Sequence, residues 1–179
     1  MKRDWLLHKL EAYRPFDQEE RDALEILRRF VQENEHCFER SLRAGHITGS
    51  AWIVDSAREH VLLTHHRFLD KWLQLGGHAD GESDVLQVAL REAREESGID
   101  GIRPVTDSIF DVDVHEIPAR GTEPAHYHYD VRFLLEADRS RPLLLTSESK
   151  ALAWVRLSEV TKLTGERSVL RMVEKTPKD

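Results

Sequence analysis

The stretch GGHADGESDVLQVALREAREESGI, residues 76–99, predicts a glycine-led turn followed by an acidic helix. Residues 84–97 contain no glycine or proline and are rich in helix-forming residues. Because each residue of an α-helix advances by about 100°, Glu95 and Glu96 fall within about 60° of Glu92. The three carboxylates are therefore expected to share one edge of the helix, at the border of its apolar stripe.

This clustering of carboxylates is unfavourable unless a cation compensates for it. Like charges three or four residues apart destabilise a helix by about 0.2–0.5 kcal/mol per pair, and partial burial adds a desolvation penalty. Arg91 and Arg94 are expected to project away from the acidic edge, whereas Mg²⁺ or Mn²⁺ binds oxygen ligands of this kind. The alternative is a solvated helix face of alternating charge. Glycines on both sides of the helix, Gly76 and Gly77 before it and Gly98 after it, favour the metal site.

The same residues resemble the signature of the Nudix hydrolase family. That signature reads Gly, five residues, Glu, seven residues, then Arg-Glu-apolar-any-Glu-Glu-any-Gly-apolar. Gly77 fills its first position, and the run REAREESGI at residues 91–99 fills its last nine. The one departure is Ser83, which stands where the family has its first glutamate. Serine is a poor ligand for a hard dication, so either Glu82 or Asp80 substitutes for the missing glutamate or the metal-binding set is smaller.

The resemblance covers about residues 46–163 and implies both a fold and an activity. The implied fold is α/β, with a mixed β-sheet sandwiched between helices. The implied activity is cleavage, dependent on Mg²⁺ or Mn²⁺, of the diphosphate linkage of a nucleotide or nucleoside diphosphate derivative. In this resemblance Glu92, Glu95 and Glu96 bind the metal and act in catalysis, and Arg91 orients the loop and these carboxylates.

The resemblance leaves the general base and the level of activity undecided. The base is either a glutamate of the motif or a residue from a distant loop, and Glu148 is a candidate for the second case. Gly77 and His78, in the glycine-led loop, are expected to contact the substrate. Because Ser83 replaces a family glutamate, the alternative to an active hydrolase is a catalytically weakened Nudix-fold module that binds nucleotides or has a regulatory role.

Outside the motif, the chain divides into a helical part and a mixed part. Apolar residues recur at helical spacing before Pro15, and Asp17 with Glu20 marks the start of a second helix. Residues 1–42 are therefore predicted to form a two-helix extension, and residues 43–179 the Nudix domain. Strands are predicted at the short segments rich in β-branched and aromatic residues, which are 47–54, 60–64, 105–115, 126–136 and 151–156. Short helices are predicted at 157–163 and 167–175.

The segment HYHYDVRF, residues 126–133, alternates between two kinds of side chain. On a strand, His126, His128, Asp130 and Arg132 share one face, and the opposite face belongs to the core. The polar face is either exposed to solvent or forms a wall of the substrate cleft. In the second case Arg132 would bind phosphate, and the two histidines would form hydrogen bonds to the substrate or bind a second metal.

Length, charge and hydropathy restrict the class of protein. A chain of 179 residues fits one domain, and a net charge of −7 disfavours a bulk nucleic-acid binder. The expected partner is instead a small phosphorylated nucleotide, held through a dication. Without an apolar run of roughly 18–20 residues or an uninterrupted apolar leader, a cytoplasmic protein with no membrane partner is expected. The N-terminal helices are expected to cover one side of the domain, with a homodimer interface as the alternative.

Overall fold

The computed structural model describes residues 2–119, 121–122 and 124–178. Its helices are α1 (Asp4–Ala12), α2 (Gln18–Glu33), α3 (Val85–Ser97) and α4 (Arg167–Lys175), with a 3-10 helix at Leu157–Lys162. Its strands are β1 (Gly45–Val54), β2 (His60–His66), β3 (Lys71–Leu73), β4 (Leu75–His78), β5 (Arg103–Pro104), β6 (Asp111–Ile117), β7 (His126–Glu136) and β8 (Ser149–Arg156). None of these helices combines the length and the apolar character that a membrane span requires.

Strand β1 lies at the centre of a mixed sheet. It pairs in parallel with β7 along its whole length, from Gly45 opposite Tyr127 to Val54 opposite Glu136. On its other side it pairs antiparallel with β2 and β4. Strands β3 and β8 pair with β2, whereas β5 and β6 pair with β7. This arrangement brings the starts of β1 and β7 and the end of β4 together at one end of the sheet.

Helices cover both faces of the sheet. On one face, α1, α2 and α3 pack into a single core that includes Leu10, Leu27, Val88 and Phe133. On the opposite face, the 3-10 helix and α4 pack around the fully buried Trp52. The predicted α/β fold, a mixed sheet sandwiched between helices with an N-terminal helical extension, is confirmed.

The N-terminal helices are held by specific contacts as well as by apolar packing. The Asp17 carboxylate accepts a hydrogen bond from Glu20 N at 2.8 Å, which confirms the predicted start of α2. Phe30 stacks on Tyr129 of β7, with ring centroids 3.6 Å apart. Both helices therefore cover one side of the sheet, while the division of the chain between residues 42 and 43 stays a prediction.

The structure differs from the sequence-based strand assignments at short elements. The strand predicted at 105–115 begins only at Asp111 and continues to Ile117. Strands β3, β4 and β5, of three, four and two residues, were not predicted. Segments this short cannot show a two-residue period, and the two glycines of β4 have low strand propensity. Their conformation is imposed by the strands with which they pair.

Candidate functional site

Helix α3 presents the acidic motif to the rest of the molecule. The helix begins after Asp84, whose carboxylate accepts a hydrogen bond from Gln87 N at 3.4 Å. It ends at Gly98, where φ is 70°, the left-handed conformation that terminates many helices. Val85 and Val88 are fully buried against the sheet, so the helix has a fixed rotation about its axis. That rotation determines where its glutamates lie.

Glu96 is a buried carboxylate among other carboxylates. The residue is only 7% exposed, and its Oε2 accepts a hydrogen bond from Gly76 N at 2.9 Å. Burial raises the pKa of Glu96 to about 8, against the lowering effect of the Gly76 N–H. The charges of Glu92, Glu148 and Glu95 contribute to this increase in pKa. A negative charge at Glu96 is therefore unfavourable unless a cation binds there.

Glu92 is held between a glycine and an arginine. A Cβ atom placed on Gly77 would lie 2.5 Å from the Glu92 carboxyl carbon, so only glycine leaves room for this carboxylate. Arg91 Nη2 donates to Glu92 Oε1 at 2.8 Å and to the His78 carbonyl oxygen at 2.7 Å. Burial raises the pKa of Glu92, although Arg91 opposes the change.

The contact of Arg91 with Glu92 corrects the helical-wheel expectation. Arg91 was expected to project away from the acidic edge, and its Cα does lie about a quarter turn from that of Glu92. The long side chain nevertheless reaches back to the carboxylate and to the backbone of β4. The arginine thereby ties α3 to the end of strand β4, as expected of an orienting residue.

A fourth carboxylate approaches the motif from the segment before β8. Glu148 is exposed in a turn, and its charge raises the pKa of both Glu92 and Glu96. The preceding chain is anchored to the end of α3, because Leu144 N donates to the Ser97 carbonyl oxygen at 2.8 Å. The carboxylates thus come from two separated parts of the sequence.

The oxygen atoms of these glutamates fit a hard divalent cation. Mg²⁺ and Mn²⁺ bind carboxylates, and a set of mutually repelling carboxylates that includes a buried one supplies the ligand chemistry they need. The assignment of Glu92, Glu95 and Glu96 as metal ligands stays a prediction. The proposed substitutes for the missing family glutamate have other partners. Asp80 forms a two-point ion pair with Arg40, at 2.9 and 3.0 Å, and Glu82 Oε1 accepts from Asp84 N.

A group of four histidines lies where the starts of β1 and β7 meet the end of β4. It consists of His46 on β1, His78 at the end of β4, and His126 and His128 on β7. One ring nitrogen from each residue lies within 4.8 Å of the others. His46 is opposite His128 in the parallel register, and the His46 and His78 ring centroids are 4.9 Å apart. We call this group the histidine cluster.

The histidine cluster is uncharged at neutral pH in at least two of its members. Burial, together with the charges of Arg40 and His46, lowers the pKa of His78 to about 4. Burial also lowers the pKa of His128 to about 2, with contributions from His78 and His115. A neutral imidazole has a nitrogen lone pair available as an acceptor or a metal ligand.

For Arg132 the structure replaces the expected phosphate contact with a buried ion-pair network. The guanidinium donates to Asp130 at 2.7 Å, Asp113 at 3.0 Å and Asp111 at 3.1 Å. Burial opposes its charge, but the carboxylates of Asp113, Asp130 and Asp111 raise the pKa of Arg132. The residue is 2% exposed, so its donors face aspartates and not a cleft. The predicted face of β7 is present, but helix α4 covers this part of it, since Arg171 also pairs with Asp111.

His46 is the member of the histidine cluster that the sequence did not indicate. It stands alone in the segment GHITGSAWIV, with no neighbouring histidine or carboxylate to mark it. Its nearness to His128 depends on the parallel pairing of β1 with β7, two strands separated by more than 70 residues. A register of that kind is not visible in local periodicity.

Comparisons with known proteins agree with the fold. A family model described as NUDIX domain matches residues 46–175. The structure is similar to a C. elegans Ap4A hydrolase in a binary complex, with a TM-score of 0.58 and 19% identity over 72% of this chain and 93% of that chain. It is also similar to a MutT NUDIX hydrolase from Burkholderia pseudomallei, with a TM-score of 0.56 and 20% identity over 74% and 98%. For the E. coli dihydroneopterin triphosphate pyrophosphohydrolase the values are 0.53 and 19%, over 72% and 92%. No curated protein matches the sequence.

Proposed function

The chain belongs to the Nudix family, and on this premise we propose that it is a pyrophosphohydrolase dependent on Mg²⁺ or Mn²⁺. Its substrate is a nucleotide or nucleoside diphosphate derivative, and the bond cleaved is the diphosphate linkage. The observation that carries the proposal is the buried Glu96 carboxylate, which Gly76 N holds at 2.9 Å among Glu92, Glu95 and Glu148. A dication bound at such a site would offset the cost of burying a negatively charged carboxylate.

The residues around the motif would have two roles: the glutamates bind the dication, and neighbouring groups orient the glutamates. Glu92, Glu95 and Glu96 would hold the dication, which when bound neutralises phosphate charge and lowers the pKa of an attacking water. Gly76 N fixes the orientation of Glu96, and Arg91 fixes that of Glu92. These contacts set the ligand positions before substrate arrives, so little reorganisation is needed during the reaction.

A carboxylate that does not hold the dication would take the proton from the attacking water. Glu148 is exposed and close enough to Glu92 and Glu96 for its charge to raise the pKa of both. It lies on a separate segment from α3, so it can approach the water from another direction. We therefore propose Glu148 as the general base, with a glutamate of α3 as the alternative.

The end of strand β4 would contact the substrate directly. Gly77 and His78 lie beside Glu92 and Arg91, so a diphosphate bound at the dication would pass next to their backbone. His126 and His128 lie next to His78 and were predicted as further substrate contacts. Arg132 is not part of this proposal, because its donors are already paired with buried aspartates.

Substitution of Gly77 by alanine should separate activity from stability. The added methyl group would displace the Glu92 carboxylate, which is the mobile end of a side chain, so the free energy of unfolding should change by less than about 1 kcal/mol. Misplacing a metal ligand by about 1 Å should lower kcat/KM by roughly 10- to 100-fold. Chemical denaturation and steady-state kinetics measure the two effects. Gly165→Ala is the matched control, since a Cβ there meets nothing within 4 Å.

A substrate panel tests the proposed reaction itself. Purified protein is incubated with Mg²⁺ or Mn²⁺ and a set of nucleoside diphosphate derivatives, together with Ap4A and dihydroneopterin triphosphate, the compounds named for two similar structures. We expect metal-dependent cleavage of at least one member, with products that identify the attacked phosphorus. Absence of cleavage across the whole panel with either metal would contradict the proposal.

Ser83 supports a second candidate function, a weakened Nudix-fold module that binds nucleotides without efficient turnover. Ser83 lies at the bend before α3, where the family has a glutamate, and neither Asp80 nor Glu82 is free of other partners. If the site is weakened, Ser83→Glu should raise kcat/KM by roughly tenfold or more by adding a carboxylate ligand. Ser83→Gln introduces a side chain of the same size as glutamate but without its charge, and should not raise kcat/KM. Equal rates for the parent protein and Ser83→Glu would argue against a weakened site.

A further inference from the structure

The histidine cluster has the spacing of a tetrahedral metal site. His126 Nε2 and His128 Nε2 are 3.2 Å apart, and one nitrogen of each of the four rings lies within 4.8 Å of the others. In a tetrahedral zinc site with metal–nitrogen bonds of about 2.0–2.1 Å, the ligand nitrogens lie about 3.3–3.4 Å from one another. One edge of such a tetrahedron is already close to this length. Side-chain movements of about 1–1.5 Å would bring the other nitrogen–nitrogen distances, at most 4.8 Å, to the tetrahedral value.

A hydrogen bond from Nδ1 of His126 leaves Nε2 of the same ring available to bind a metal. His126 Nδ1 lies 3.0 Å from the Pro124 carbonyl oxygen, which can only accept a hydrogen bond. Nδ1 therefore carries the proton, and in the neutral ring Nε2 has a lone pair that points toward His128. Metal-binding histidines in proteins are commonly oriented in this way, by a hydrogen bond from the second ring nitrogen to a backbone carbonyl.

The ligand chemistry of the histidine cluster differs from that of the α3 glutamates. Four imidazole nitrogens suit Zn²⁺ and other transition metals, whereas Mg²⁺ prefers oxygen. Four protein ligands also complete a tetrahedral shell, as in zinc sites with a structural role. A cavity of about 460 Å³, lined in part by Arg40, His46 and His126, adjoins the cluster and gives an ion a route to it.

The histidine cluster is connected to helix α3 through one residue of β4, His78. His78 contributes its ring to the cluster, while its carbonyl oxygen accepts from Arg91 Nη2 at 2.7 Å. The preceding residue, Gly77, packs against the Glu92 carboxylate. An ion in the cluster would fasten the end of β4 to β1 and β7, and would thereby hold this backbone in place against α3.

We infer that His46, His78, His126 and His128 bind one Zn²⁺ ion at a tetrahedral structural site that is separate from the carboxylates of α3. The site does not depend on the proposed hydrolysis, because its ligands are imidazole nitrogens and not the α3 carboxylates that would hold the catalytic dication. Absence of hydrolysis across the substrate panel would therefore not contradict the zinc site.

Metal titration of the full chain tests this site. Metal-free protein is titrated with Zn²⁺ by calorimetry and with Co²⁺ by absorption spectroscopy. We expect one Zn²⁺ per chain that Mg²⁺ does not displace, a four-coordinate Co²⁺ spectrum that Zn²⁺ abolishes, and a higher Tm with Zn²⁺. His78→Asn and His128→Asn should each weaken Zn²⁺ binding at least about tenfold. His115→Asn, which changes the residue opposite His128 on β6, should bind Zn²⁺ as the parent does.

Two further variants separate this site from the motif. Glu92→Gln and Glu96→Gln should retain the high-affinity Zn²⁺ site, because they change only the carboxylates of α3. The inference is wrong if these two variants lose Zn²⁺ while the histidine variants keep it, or if bound Co²⁺ is six-coordinate. Circular dichroism establishes that each variant is folded. Should the histidine variants not fold, the coordination number of Co²⁺ in the parent protein decides the question.

Discussion

Glu96→Gln is expected to lower metal-dependent hydrolysis by at least about 100-fold without destabilising the metal-free protein. The amide has nearly the shape of the carboxylate, and its oxygen can still accept from Gly76 N. It removes one negative ligand of the dication, and the loss of a single preorganised charge interaction typically lowers kcat by about 10²–10³-fold. Without metal, a Glu96 carboxyl with a pKa of about 8 is mostly protonated at pH 7, so replacing it with the neutral amide should change the Tm of the metal-free protein little.

Parallel measurements of kcat/KM and Tm, with and without Mg²⁺, test this expectation. Glu25→Gln, an exposed carboxylate of α2, is the control for the same chemical change outside the motif. The parent protein and the control should gain thermal stability from Mg²⁺, and Glu96→Gln should gain less. Hydrolysis by Glu96→Gln within about twofold of the parent rate would rule out the proposed role of this residue.

Arg132→Met is expected to have the largest effect on stability, about 3–5 kcal/mol of unfolding free energy. The substitution leaves the carboxylates of Asp113 and Asp130 buried with fewer partners, and removal of one member of a buried ionic network is costly for this reason. Asp130 would keep its hydrogen bonds from Thr48 at 2.9 Å and Ser50 at 2.7 Å, which limits the loss. If Arg132 instead bound a phosphate, the same variant would raise KM with little change in stability.

Urea denaturation of two further variants calibrates this result. Arg103→Met breaks an ion pair with Glu136 in the same sheet, but the Arg103 side chain is 73% exposed, so the loss should be under about 1 kcal/mol. Arg132→Lys keeps the charge and loses the planar array of donors, so its stability should lie between those of the parent and Arg132→Met. Similar small losses for Arg103→Met and Arg132→Met would contradict the structural role of Arg132.

Local pattern was sufficient to predict the parts of the site that lie within one element. The helix predicted at 84–97 is observed at Val85–Ser97, and the predicted helix start at Asp17 is confirmed by the hydrogen bond that its carboxylate accepts from Glu20 N. These features depend on neighbours three or four residues away, so a single sequence displays them directly. The spacing of Gly77 from residues 91–99 likewise indicates the family without reference to any tertiary contact.

Contacts between distant segments could be learned only from the tertiary structure. Alternation along β7 showed that His126, His128, Asp130 and Arg132 share a face, but it could not show what covers that face. Helix α4 and the aspartates of β6 cover Arg132, whereas His46 and His78 approach the two histidines. The sequence by itself therefore determined the family, the acidic helix, and which side chains share a face of a helix or strand. These features follow from short-range periodicity and motif spacing. The tertiary structure alone decided which side chains meet across strands, because strand register is set by the packing of the whole sheet.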